Sequence, residues 1–374
     1  MQNHTINRRE FLKVAAILGA GLSLGASPLF AATDSKKQIM PTRTLGKGDY
    51  AFEVSALAFG LMGLNYHRSK VVSEKEAAEI VAKCVDYGIT LFDTAQVYGP
   101  DSNEILAGKI LKPYKNKVFV TTKFGFGANA DVLDSSPKRI REVCEQSLKR
   151  LGIEQIPLFY QHRFDPQTPI EEVAGAVKDL IKEGKVARFG VCELSAATIE
   201  KAHKICPITA VQSEYHLMWR NVETELFPTL EELGIGFVAY SPLARGYLSG
   251  KLRKNSDFDP KNDNRATFPR YQDDTMAANY KIVELLREFG KGKNPTAKDG
   301  NATPAQMAIS YLLINKPYIV PLFGTTNLAH LSENLSALHV QWHKKELKNF
   351  EAELAKIQIL GDRYPPEQAK RVGQ

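Results

Sequence analysis

Short uninterrupted apolar runs alternate with longer amphipathic ones along most of the chain. The apolar runs cover residues 54–62, 90–95, 118–124, 156–163, 187–194, 209–215, 236–243 and 318–325. Runs that do not alternate with polar residues predict strands buried on both faces, and so a parallel sheet. Between them, residues 73–87, 101–111, 135–151, 169–182 and 195–205 carry helical spacing, several opening on Ser or Asp. The first is the clearest. Ser73 is placed to cap it, Glu76 stands where a capping box needs an acid, and Gly88 ends it. Helical patterns follow the seventh and eighth runs at 274–289 and 327–338, with one more at 343–357.

Eight strand-then-helix units predict a single-domain α/β fold, a (β/α)8 TIM barrel over residues 41–357. The rival is an open doubly wound sheet. That fold needs a glycine-rich phosphate turn after its first strand, and Gly60-Leu61-Met62-Gly63 has the wrong spacing. Residues 42–53, turning at Gly46-Lys47-Gly48-Asp49, predict an N-terminal hairpin that plugs the barrel floor. Residues 244–273 form a long polar loop after the seventh strand, which on a barrel lies at the catalytic mouth as a lid. The pattern ends in an extra C-terminal helix, and residues 358–374 are read as a tail.

The N-terminus is a separate object. Arg8-Arg9 precedes Phe11-Leu12-Lys13 and a moderately apolar, Gly/Ala-rich stretch from Val14 to Ala32. Residues 1–32 resemble a twin-arginine export signal, with 33–40 as linker. The resemblance implies a folded passenger handed to the export machinery and a periplasmic or otherwise exported location. The chain has 374 residues, 43% hydrophobic and 24% charged, an ordinary globular composition with an ample core. Its formal charge of +7 is spread along the chain, which leaves no nucleic-acid footprint. Four cysteines, Cys84, Cys144, Cys192 and Cys206, show no metal or redox spacing, and no metal site is expected.

Candidate chemistry changes the picture more. Asp93, Lys123 and His162 each end an apolar run, and Tyr98 follows the first of them by a short loop. Carboxylates, ammonium groups and imidazoles are unfavourable to bury unless paired. Parallel neighbouring strands would bring all four to one mouth. A phenol is a suitable proton donor once a nearby ammonium lowers its pKa. Lys123 would supply that charge, Asp93 would hold Lys123, and His162 would bind the same carbonyl oxygen.

These motifs resemble the aldo-keto reductase family over about residues 41–357. The matching segments are Phe92-Asp93-Thr94-Ala95 with Tyr98-Gly99, Thr122-Lys123-Phe124, Tyr160-Gln161-His162-Arg163, Val211-Gln212-Ser213-Glu214-Tyr215 and Ala239-Tyr240-Ser241-Pro242-Leu243. The resemblance implies a (β/α)8 barrel with NADP(H) extended across its mouth and Tyr98 as general acid/base, in a tetrad with Asp93, Lys123 and His162. It implies that Gln212 holds the nicotinamide carboxamide and that Tyr240 stacks on the nicotinamide. Leu243, Gly246, Leu248 and Lys251 would form the pyrophosphate loop, and Gly324, Thr325, Thr326, Glu333 and Asn334 the adenosine-phosphate end. Cys192, with Glu193 beside it, stands at a carboxamide contact that is usually Ser, and Ala244 replaces a loop glycine. Thr326 stands where Arg or Lys usually clamps the 2′-phosphate, so NAD(H) remains open beside NADP(H).

Met62 and Tyr66 after the first strand, and Trp219 after the sixth, are read as substrate contacts suited to sugars or aromatic carbonyls. The substrate class is a small carbonyl compound or sugar. Two other functions share these motifs: a nucleotide-sensing or partner-binding barrel without significant turnover, and an isomerase or epimerase that oxidises its substrate transiently. No sequence signal speaks to oligomeric state.

Overall fold

The computed structural model describes residues 40–67, 70–129 and 131–373. The export-signal reading of residues 1–32 and most of the linker lie outside them. Eight parallel strands close into a barrel: β3 (Ala58–Gly60), β4 (Leu91–Asp93), β5 (Phe119–Phe126), β7 (Phe159–Gln161), β8 (Phe189–Cys192), β9 (Ile208–Glu214), β10 (Gly236–Tyr240) and β11 (Ile319–Phe323). Each pairs with the next barrel strand, and β11 returns to β3 to complete the ring. A two-residue strand, β6 (Leu133–Asp134), pairs antiparallel with the end of β5 outside the ring. Leu91, Leu158, Tyr160, Cys192, Ala210, Val238, Val320 and Leu322 fill the barrel interior. Gly190 makes room for them, since a Cβ there would lie 2.4 Å from the Tyr160 ring.

The floor is the hairpin of β1 (Thr42–Leu45) and β2 (Phe52–Ser55). It takes two residues from the predicted first strand. Val54 and Ser55 pair with Arg43 and Thr42, and the barrel strand begins only at Ala58. Leu45, Phe52 and Val54 join the interior cluster from below. The hairpin is fixed to the N-terminal ends of the strands: Thr209 Oγ1 donates to the Tyr50 carbonyl (2.9 Å) and Arg188 Nε to that of Ala51 (3.0 Å). The C-terminal strand ends are therefore the open face.

Helices cover the outside: α1 (Glu74–Asp86), α2 (Ser102–Leu111), α3 (Pro137–Leu151), α4 (Ile170–Lys182) and α5 (Ala196–Ile205) after the first five barrel strands. The Ser73–Glu76 capping box of α1 is present in both directions. After β9 come the short α6 (Val222–Glu225) and α7 (Phe227–Leu233). The pattern at 274–289 resolves into α8 (Asp273–Asn279) and α9 (Lys281–Phe289). The helix that packs against β11 is a different one, α10 (Pro304–Asn315), which the sequence pattern does not separate. It opens on a Thr303–Gln306 capping box and buries every residue from Ala305 to Leu313. A helix apolar all round shows no amphipathic period. Then follow α11 (Leu328–Leu335) and the extra helix α12 (Lys344–Leu354).

Two segments build the rim of the mouth. The polar loop 244–273 is folded into successive 3-10 turns over Ala244–Ser249, Asn255–Asp257, Asn264–Thr267 and Pro269–Tyr271. Residues beyond 357 return across the barrel end and place Tyr364 in the main core. Asn279 clamps this return by exchanging two hydrogen bonds with Leu360 (2.9 and 2.8 Å). Among the described residues, no helix is long and apolar enough to cross a membrane.

Candidate active site

Asp93 ends β4 and pairs across the ladder with Gly60 and Thr121, while Lys123 sits within β5 opposite Tyr160. Parallel register thus sets the two side chains side by side. Lys123 Nζ donates to Asp93 Oδ1 and to the Thr94 carbonyl (2.8 Å). The other carboxylate oxygen accepts from Thr121 Oγ1 (2.8 Å) and Gln212 Nε2 (3.0 Å). Both charges are buried, and both have the partners that burial demands. Burial disfavours the Lys123 ammonium, but Asp93 and Tyr98 outweigh it and its pKa is raised.

Tyr98 lies close to this pair, with the Lys123 ammonium 5.2 Å from its ring centroid. The His162 ring meets it edge-on at 5.6 Å and 83°. Tyr66 flanks it at 5.9 Å. The structure corrects one expectation. Lys123 does lower the Tyr98 pKa, but burial raises it by more, and the net direction is upward. The phenol holds its proton firmly. His162 is pushed well below the ordinary imidazole range, chiefly by burial and then by Arg163 and Lys123, and so is neutral. Its Nδ1 is buried with no hydrogen-bond partner among the described residues.

A cleft of about 550 Å³ opens from these groups. Asp93, Tyr98, His162, Gln212, Tyr240, Met62, Leu243, Gly246, Gly324, Thr325 and Thr326 all line it. Leu248 is fully buried behind the wall. Lys251 and Glu333 are joined by a 3.0 Å ion pair at the rim, and Asn334 is buried. Cys192 points into the barrel interior, where burial pushes its thiol up to about 12. Glu193 is engaged elsewhere: its carboxylate accepts from the Glu214 amide (2.8 Å) and pairs with Arg363 at 2.5 Å. Trp219, read as a substrate contact, lies outside the cleft. It lines a second cavity of about 680 Å³ behind the C-terminal segment, where Arg363 and Arg270 stack on its ring.

Sequence reasoning missed Arg245, Phe268 and Tyr364, which line the cleft from the folded loop and the returning C-terminus. The Arg245 guanidinium sits over the Phe268 and Tyr364 rings at 4.6 and 5.4 Å. Also missed was His330, half-buried near Thr326 at the start of α11. Nothing in local spacing marks Arg363 or Tyr364, because their partners are more than one hundred residues away.

The buried imidazoles carry a consequence for stability. His162 and His216 both have folded pKa values below the ordinary value, with burial the first cause in each. The native state then binds fewer protons than the unfolded chain as pH falls. Their contribution is intact above the ordinary imidazole value of about 6.5 and is lost below it, at up to about 1.4 kcal/mol per pH unit for each group. Urea unfolding between about pH 8 and about pH 5.5 is expected to show this fall, with a shallower slope in His162→Gln. An unchanged slope in the variant would contradict it.

A closed parallel barrel whose mouth holds a phenol, a buried ammonium–carboxylate pair and a neutral imidazole belongs to the class of carbonyl–alcohol oxidoreductases. Among the described residues, no group of three or more His, Cys, Asp or Glu side chains is arranged to hold a metal. Residues 56–354 match the aldo/keto reductase family, and the chain belongs to that family. It is 40% identical over 335 residues to a probable aldo-keto reductase 1 of Glycine max, covering 88% of this chain and 93% of the relative. Among solved structures it is similar to a glycerol dehydrogenase from Gluconobacter oxydans (25% identity, 87% of this chain, 98% of that one, TM-score 0.72). It is also similar to an aldo-keto reductase from Bacillus halodurans in its holo form (26% identity, 86% and 98% covered, TM-score 0.66). The protein is thus an oxidoreductase acting on carbonyl and alcohol substrates.

Proposed function

We propose that this chain interconverts a small carbonyl compound or sugar with its alcohol using NADP(H), with Tyr98 as general acid/base. The observation that carries the reading is the buried Asp93–Lys123 pair beside the Tyr98 ring, with a neutral His162 edge-on to it. The nicotinamide nucleotide, when bound, supplies or accepts the hydride.

The residues present fit such a nucleotide. The Tyr240 ring lines the cleft while its hydroxyl is tied to Tyr364 (2.8 Å), which leaves a fixed aromatic wall. Gln212 stands between that wall and Asp93 and offers an amide. Gly246 in the folded loop and Thr325, Thr326 and His330 at the α11 end offer backbone and side-chain donors suited to phosphate. Thr326 supplies a hydroxyl where a guanidinium would clamp a 2′-phosphate, so the margin for NADP(H) over NAD(H) rests on the rest of this end.

Tyr98 then donates its proton to the carbonyl oxygen on reduction. Its raised pKa keeps that proton in place until an oxyanion develops. His162, uncharged, orients the oxygen by hydrogen bonding. Lys123 remains a cation because Asp93 holds it, and it stabilises the phenolate left behind. Met62 and Tyr66 shape the substrate end. Arg8-Arg9 and the apolar stretch after them support export of the folded enzyme.

The test is direct binding of NADPH and NADH to the purified chain, followed by turnover with a panel of aldehydes and sugars, read by nicotinamide absorbance. Tighter binding and faster turnover with NADPH are expected. Preference for NADH would reverse the cofactor assignment. Binding without turnover would favour a sensing barrel.

A further inference from the structure

Behind Tyr240 the structure buries more charge than the proposed chemistry uses. Glu193 and Glu214 lie side by side at the ends of β8 and β9, only 5% and 2% exposed. Two adjacent buried carboxylates repel each other unless cations meet them. The principal cation comes from the far end of the chain. Arg363 Nε donates to Glu214 Oε2 (2.6 Å), and its Nη2 reaches Glu193 Oε1 (2.5 Å) and the Tyr240 hydroxyl (3.1 Å). Arg245 adds a looser pairing with Glu214 at 3.9 Å. Arg363 alone of these cations pairs directly with both carboxylates, and Arg163 adds a further positive charge that acts on Glu193 through space. His216 donates to Glu214 at 3.0 Å without adding charge, since its pKa is lowered. Arg270 also acts on Glu214 through space, and its hydrogen bond to the neutral Gly361 carbonyl (3.3 Å) leaves its charge in place.

The arrangement is held from several sides. Glu193 sits at φ 57°, a left-handed conformation that needs support in a non-glycine residue. Its carbonyl accepts from the Gly373 amide at 2.8 Å, so the C-terminal segment engages Glu193 at backbone and side chain together. Tyr364, the next residue after Arg363, completes the contact with the Tyr240 hydroxyl.

We propose that Arg363 shifts the preference of the cleft between the oxidised and the reduced form of its nicotinamide nucleotide, by opposing the charge of Glu193 and Glu214 behind Tyr240. The inference rests on the reading of Tyr240 as the wall that meets the nicotinamide. The oxidised ring carries a positive charge and the reduced ring carries none. A change toward negative charge close behind that wall favours the oxidised form, and a change toward positive charge disfavours it. The Arg363 charge opposes that bias and leaves reduced nucleotide able to compete. Arg363 is therefore a positioning residue for Tyr240 and an electrostatic one for the nucleotide. It touches no reacting atom.

The experiment titrates the full chain with oxidised and with reduced NADP, following quenching of intrinsic fluorescence, and takes the ratio of the two Kd values. In Arg363→Met the ratio of oxidised to reduced Kd is expected to fall about tenfold, the scale of removing one buried positive charge several ångströms away. Arg363→Lys keeps the charge and is expected to hold the ratio near that of the parent. Glu193→Gln removes one negative charge and should move the ratio the opposite way. The double variant Arg363→Met/Glu193→Gln should bring it back. If Arg363→Met does not fold, the opposite shift in Glu193→Gln decides the matter. A ratio unmoved in the folded variants, or affinities for both forms falling equally, would show that Arg363 is structural only and would overturn the inference. A parent chain that binds neither form would instead remove the nucleotide reading, and this inference with it.

Discussion

Tyr98→Phe is expected to lower kcat for carbonyl reduction by about three orders of magnitude while changing nucleotide affinity by less than about twofold. The ring is retained, so its edge-on contact with His162 at 5.6 Å and the Lys123 ammonium over its face at 5.2 Å survive. Only the hydroxyl is lost, and with it the proton that must reach the carbonyl oxygen. His162 cannot stand in as the acid. Burial, with Arg163 and Lys123 close by, holds its pKa well below the ordinary range, so near neutral pH it carries no ionisable surplus proton. An interaction made only in the transition state lowers kcat and kcat/KM together, and that split is the signature to look for in steady-state kinetics with a single aldehyde. A drop of less than about tenfold would place the proton donor elsewhere in the cleft.

The parts of this molecule that are legible in the sequence are those governed by local pattern. Eight strands buried on both faces leave uninterrupted apolar runs, and Ser73 with Glu76 marks a helix start whatever the tertiary context. Asp93, Lys123 and His162 stand out because a charge or imidazole ending such a run has to be paired or used. Where pattern and packing part company, the reading fails. α10 is enclosed on all sides and so has no polar face to set a period. Val54 and Ser55 are as apolar or small as a barrel strand requires, but the turn at Ala56-Leu57 gives them to the floor hairpin.

The electrostatic layer behind Tyr240 is the least legible. Glu214 is separated from Arg363 by 149 residues, and the charges of both vanish into an average-looking composition. The same contact explains the position of Trp219. Its ring is the apolar plate on which Arg363 and Arg270 stack, which holds it in the second cavity, away from the cleft that Tyr98 lines.

Lys123→Met is the substitution expected to do most harm, because it breaks two functions at once that a second variant can separate. Asp93 is 4% exposed and would keep only the Thr121 hydroxyl and the Gln212 amide as partners. Removing one member of a buried ion pair typically lowers stability by about 3–5 kcal/mol, since the other charge is left uncompensated. Thermal and urea unfolding of Lys123→Met should show a loss of that size. In Lys123→Met/Asp93→Asn no charge remains to be stranded. The carboxamide introduced in place of the carboxylate can still accept from Thr121, and most of the lost stability should return. Activity should not return with it. The phenol of Tyr98 loses the stronger of the two cations, Lys123 and Arg163, that oppose the effect of burial on its pKa, so proton transfer stays impaired in both variants. A double variant that regained stability and turnover together would mean that Lys123 serves the fold alone, whereas a folded, stable and inactive one assigns the ammonium to the chemistry.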